Sequence, residues 1–167
     1  MQPLTPDDVQ AVLDQHNTGI AIAFYANSTA TSQQAADNIG CELGQIVKSL
    51  AFFVGGQPVV VLASGDQRVD DRKLAALYGV GRKKVRAASA DECVAHWGYA
   101  PGGVPPFGHR TSGLPVWIDD SLRRYELVYA AAGAHNAIFP IPLALLAALS
   151  GGQFADLKRD LAPDTDR

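Results

Sequence analysis

The chain has 167 residues, 47% of them hydrophobic, and its 14 Lys and Arg against 17 Asp and Glu give a formal net charge of −3. That length and apolar content suit one domain with a core of its own. The charge excludes a dedicated, strongly basic nucleic-acid binder but leaves room for a local basic patch.

Thr5-Pro-Asp-Asp8 opens a first helix: Thr5 caps, Pro6 suits the first helical position, and Asp7 and Asp8 favour the dipole. The helix is expected to end near Asn17-Thr18-Gly19, with a strand over 20–25. Thr31-Ser-Gln-Gln34 has the form of a capping box for a second helix that Gly40 ends. A short helix from Glu42 leads to Lys48, then a strand over 49–54, a turn at Gly55-Gly56-Gln-Pro58 and a second strand through Leu62. Asp70 caps a helix to Tyr78, a short strand covers 83–87, and Ser89-Ala-Asp-Glu92 starts a helix reaching Trp97.

After a glycine- and proline-rich loop come a strand over 115–118, a helical turn over 120–123 and a strand over 125–130. The turn Ala131 to Asn136 leads to a strand over 137–139, and Pro142 starts a last helix that Gly151-Gly152 closes. Strands alternating with helices, with hairpins at Gly55 and Gly133, predict a single α/β or α+β domain over 1–155, followed by a frayed charged tail over 156–167.

No basic-then-apolar leader pattern opens the chain. The longest apolar run, 137–149, holds two prolines and is too short for a bilayer. A soluble cytoplasmic protein without a membrane partner is expected. Cys41 and Cys93 lack metal spacing and disulfide density, and both read as reduced thiols inert in apolar helical surroundings. Basic clusters at Arg82 to Arg86 and at Arg123-Arg124 read as solvated helix ends ahead of RNA contacts.

Two stretches stand apart. Gly98-Tyr-Ala-Pro-Gly-Gly-Val-Pro-Pro-Phe-Gly-His109 admits no regular helix or strand, because its prolines fix φ and its glycines free it. Gly102 and Gly103 would let a ligand approach backbone N–H groups, while Pro105 and Pro106 offer carbonyls without donors; a rigid, packed surface loop is the alternative. In Gly44 to Val54, Lys48 is the one charge in an apolar run, either snorkelling to solvent or held for a purpose.

Together these motifs resemble the YbaK-like aminoacyl-tRNA deacylases, which also occur as the editing insertion of bacterial prolyl-tRNA synthetases. Gln45-Ile-Val-Lys48-Ser-Leu50, Gly102-Gly-Val-Pro-Pro106, Val116-Trp-Ile-Asp119 and Gly133-Ala-His135 carry the resemblance in order, across roughly residues 5 to 152. It implies a curved, partly barrel-like mixed sheet surrounded by helices, and hydrolysis of the ester joining a wrong amino acid to tRNA with no metal or organic cofactor. Pro105 stands where relatives commonly carry a serine, which removes a hydroxyl and an N–H from the pocket.

The resemblance implies one cleft, with Lys48, Gly102 and Gly103 in catalysis and Tyr25, Ser49, Pro106, Asp119, Gly133 and His135 on the substrate. Its implied partner is the acceptor end of a mischarged aminoacyl-tRNA, together with prolyl-tRNA synthetase, and neither DNA nor membrane. Lys48 would hold the terminal ribose or phosphate, backbone groups near Gly102 would hold the attacking water, and Asp119 would take the α-ammonium, orient Lys48 or simply cap the turn at Asp120. No Gly-x-Ser-x-Gly elbow or zinc spacing is present, and the cramped loop suits a small amino acid such as alanine or cysteine. A non-catalytic protein binding aminoacyl-tRNA or an amino acid would use the same cleft.

Overall fold

The computed structural model describes residues 1–160. In chain order it contains α1 (Pro6–Gln15), β1 (Ala23–Phe24), α2 (Ser32–Ile39), β2 (Ile46–Val54), β3 (Gln57–Ser64), α3 (Asp71–Leu77), β4 (Val85–Ala87), α4 (Ala90–Glu92), β5 (Val116–Asp119), β6 (Leu127–Ala131), β7 (Ala137–Pro142), α5 (Leu143–Ser150) and β8 (Gln153–Ala155). Short 3-10 turns precede β2, β4 and β6, and a π-helical turn over Cys93–Trp97 continues α4.

All eight strands form one mixed sheet in the order β1-β7-β6-β2-β3-β5-β8, with β4 added to β2. The β2–β3 hairpin is antiparallel, whereas β2–β6, β3–β5 and β5–β8 run parallel. Central β3 shows why the sheet needs cover on both faces. Val60 and Leu62 enter one apolar cluster with α1, α5, Trp97 of the π-helical turn and the loop residues Tyr99 and Phe107. Val59, Val61 and Ala63 enter a second with Leu74 and Ala75 of α3. A strand buried on both sides reads as a continuous apolar run, as Val59 to Ala63 does.

Capping chemistry sets the helix starts. Asp8 accepts from the Thr5 N–H at 2.7 Å, and Thr31 and Gln34 exchange bonds of 3.1 and 3.2 Å.

Several expectations change. The strand foreseen over 20–25 shrinks to Ala23–Phe24, since β7 offers β1 only Ile138 and Ala137 as partners. Strand β2 starts at Ile46, so Lys48 lies inside it rather than at its entrance. Strand β8 was not foreseen: Gln153 to Ala155 lack a pattern of their own and extend by pairing with Trp117 to Asp119. Within the tail foreseen as frayed from 156, Leu157 is fully buried and Lys158 is bridged to Val69, while Asp156, Arg159 and Asp160 are exposed. The rest of that expectation lies outside the described residues.

Candidate functional site

One edge of β2 belongs to β3 along its length. The other carries β6 at Ile46 and Val47 and β4 from Phe52 to Val54. Between them Lys48, Ser49 and Leu50 have no strand neighbour, and a cleft of about 310 Å³ opens against this gap. Its other walls come from Thr29 to Ser32 before and at the start of α2, from Gly102 and Val104, and from Ala131 and Ile138.

Lys48 is half-buried at this gap, and its ammonium donates to the Gln67 carbonyl. Burial pushes its pKa down, repulsion from Arg68 adds to that, and Asp66 opposes both. A carbonyl holds an ammonium without neutralising it, so the positive charge stays available to a ligand. The Ser49 hydroxyl, also at the cleft, is buried without a hydrogen-bond partner.

The glycine–proline loop divides in two. Gly102 lies exposed on the cleft wall with φ of +87°, a backbone that side chains with a Cβ rarely adopt, and an added Cβ would stand 3.2 Å from that of Ala30. Gly103 turns inward: its carbonyl accepts from the Gly133 N–H at 2.9 Å, and a Cβ there would meet the Ala134 nitrogen at 3.0 Å. Thus Gly103 and Gly133 join the loop to the β6–β7 turn by close backbone contact, and neither lines the cleft. Pro105 and Pro106 are buried, and the Pro105 carbonyl is taken by Nε2 of His109 at 2.7 Å. That carbonyl only accepts, so Nε2 carries the proton. Gly103 and residues 105–107 are thus packed inward, while Gly102 is exposed on the cleft wall near Val104.

Asp119 does not reach the cleft. It is 1% exposed and accepts from the Ser121 N–H at 3.0 Å, the Ser121 hydroxyl, and the Leu157 and Lys158 N–H groups at 2.7 and 3.0 Å. Those donors saturate the carboxylate, so its role is to cap the turn and dock the 156–160 segment, and it makes no pair with Lys48. Tyr25 stands behind the wall, in the apolar cluster with Ile46 and Ile138. His135 presents its carbonyl to the Thr29 hydroxyl at 3.1 Å, holding one wall, while the residue itself is exposed.

The wall from Thr29 to Ser32 was missed as site material, although its capping box was legible; nothing local shows that this helix start faces Lys48. The basic clusters behave differently from each other. Arg82 to Lys84 are exposed, but Arg86 pairs with Glu92, whose carboxyl it draws down to about 2, and Arg124 is bound to Asp66. Burial pushes both thiols up, Cys93 inside the π-helical turn and Cys41 just beyond the end of α2. Among the described residues, no three His, Cys, Asp or Glu side chains gather as a metal cluster, and no helix is long and apolar enough to cross a membrane.

Fold and cleft define a mixed α/β domain with a small pocket lined by apolar and hydroxyl side chains, one exposed glycine and one lysine. Residues 26–149 match the family model of the aminoacyl-tRNA editing domain, and the chain belongs to that family. It is 35% identical over 130 residues to the uncharacterized protein YwhH of Bacillus subtilis (strain 168), covering 77% of this chain and 80% of YwhH. It is 30% identical over 106 residues to the proline–tRNA ligase of Shouchella clausii (strain KSM-K16), covering 64% of this chain but 18% of that much longer protein. A crystal structure provisionally described as a trans-editing enzyme for prolyl tRNA synthetase superimposes with a TM-score of 0.85 at 38% identity, over 93% of this chain and 97% of the other.

Proposed function

We propose that the protein is a trans-editing deacylase that hydrolyses the ester of a small wrong amino acid, such as alanine or cysteine, on tRNA(Pro). The observation that carries this reading is the meeting of Lys48 and Gly102 at one 310 Å³ cleft in a chain of the editing family. That volume is at the small end of ligand pockets, which suits a small aminoacyl group and crowds a larger one. The likeness to the trans-editing structure and to a proline–tRNA ligase supports the choice of tRNA.

An aminoacyl ester is already activated, so the protein need only place water and stabilise charge. Lys48, beside the open edge of β2, binds the terminal ribose or phosphate and offsets the developing oxyanion. The first turn of α2, whose leading N–H groups lack intrahelical partners, adds positive potential at the same wall. Exposed backbone at Gly102 orients the attacking water, which bonds to the ester carbon and gives up a proton to solvent; the bond to the ribose oxygen then breaks, and that oxygen leaves with a proton from solvent. The chemistry proposed uses no metal or organic cofactor.

The test is single-turnover deacylation of tRNA(Pro) carrying alanine, cysteine or proline, with and without chelator and prolyl-tRNA synthetase. Rapid loss of alanine or cysteine with proline retained is expected. Tight binding of these tRNAs with no ester loss would replace this reading by the binding-protein one.

A further inference from the structure

The Gln67 carbonyl that holds Lys48 is itself held. Arg124, at the end of the 3-10 turn after β5, grips Asp66 with both nitrogens of its fork, at 2.9 and 2.7 Å. The same guanidinium donates to the Ser64 hydroxyl at 2.8 Å and, through Nε, to the Ser121 carbonyl at 2.7 Å. Ser64 in turn donates to the Gly44 carbonyl, and the Gly65 N–H donates to Ile46 at 2.8 Å. The turn from Ser64 to Gln67 is thereby fastened to β2, to the turn before it and to Arg124. Gly44 makes the space: a Cβ there would collide with the Tyr125 hydroxyl and stand 2.9 Å from both Arg124 Nη2 and Asp66 Oδ2.

We propose that the Arg124–Asp66 pair is a positioning clamp for Lys48, fixing the Ser64–Gln67 turn so that the Gln67 carbonyl sets the ammonium at the cleft. The proposal rests on Lys48 acting on the substrate as above. Among the described residues, Arg124 and Asp66 make no hydrogen bond to a cleft-lining group, so they are positioning residues. A paired fork fixes direction as well as distance, which an isolated surface pair does not. The clamp also has an electrostatic side. Asp66 raises the affinity of Lys48 for its proton against burial and Arg68, while Arg124 draws the Asp66 carboxyl down and keeps it charged. Tyr125 and Asp119 bear on Arg124, and Glu42 on Tyr125.

The experiment compares wild type with Asp66→Asn, Arg124→Gln, Arg124→Lys and Gly44→Ala in two measurements. One is single-turnover deacylation of alanyl-tRNA(Pro) from pH 6 to 10; the other is NMR titration of the Lys48 ammonium without tRNA. Expected are near-native thermal midpoints and rates lowered about 10- to 100-fold, since small misplacements of a reacting group cost that much. Arg124→Lys should fall between wild type and Arg124→Gln, keeping charge without the fork. In Asp66→Asn both the basic limb of the rate and the Lys48 titration should move to lower pH; Gly44→Ala should slow the reaction with every charge retained.

Unchanged rates in Asp66→Asn and Gly44→Ala overturn the clamp, as does a rate loss explained by unfolding. If wild type deacylates none of these tRNAs, the proposed function fails by itself. The NMR arm still decides the clamp, and an unmoved Lys48 titration in Asp66→Asn overturns it.

Discussion

Lys48 and Asp119 occupy one row of the sheet and live in opposite conditions. Lys48 lies opposite Ala63 in β3, and Asp119 follows the Leu62–Ile118 pair, so β3 stands between the two charges. Two strand spacings, about 10 Å, separate their backbones, and each charged group is engaged elsewhere. Asp119 is saturated by four donors and buried to 1%. Lys48 has a single carbonyl partner among the described residues and faces a gap in the sheet. A charge whose partners are complete holds structure; a charge with capacity left over is available to a ligand.

The largest test of that contrast is Asp119→Ala. Three backbone N–H groups, two of them fastening the 156–160 segment, would lose their acceptor, at about 1–3 kcal/mol for each one left buried. Denaturant unfolding should show a loss of about 3–5 kcal/mol, with activity at low temperature falling only as the folded fraction does. A stable Asp119→Ala protein with abolished activity would move Asp119 into the cleft chemistry after all.

Next is Lys48→Ala, with the opposite signature. Deacylation should slow about a hundredfold, near 3 kcal/mol of barrier, while unfolding free energy changes by less than about 1 kcal/mol. A fully active Lys48→Ala protein ends the proposed mechanism. Gly102→Ala should show a mixed result: its positive φ costs about 1–2 kcal/mol of stability for any residue with a Cβ. Activity should fall further than that loss explains, because the added methyl group narrows the cleft beside Ala30. Equal losses would reduce Gly102 to a backbone hinge.

The smallest effect is a pH dependence. The Lys48 pKa in the fold lies below its usual value because burial disfavours the ammonium. Below that folded pKa the native state therefore carries a cost, which disappears as pH rises toward about 10.4, the unfolded value. Wild type should gain stability relative to Lys48→Met between pH 7 and 10.5 in thermal melts. A constant difference would mean that Lys48 is as well solvated as a surface lysine.

Much of the local structure was legible in the residues. The capping boxes at Thr31 and Ser89, the Gly55 turn and the continuous apolar run of β3 each rest on neighbours a few positions apart. Lys48 and Gly102, each conspicuous in its local sequence, both line the cleft. The third wall, Thr29 to Ser32, and the roles of Asp119 and Gly103 were not legible. Nor was β8, whose residues extend only because Trp117 to Asp119 leave an edge to pair with.

The sequence by itself determined where helices start, where hairpins turn and that one lysine stands in an apolar run, because caps, turns and side-chain patterning act over a few residues. Only the tertiary structure decided which partners each charge meets. Strands β6 and β4 leave β2 uncovered at Lys48 to Leu50, and β3 separates Lys48 from Asp119. Arg124 reaches Asp66 across 58 positions of chain. Sheet order and the placement of turns fix such contacts, and neither is written in the spacing of residues along a single strand.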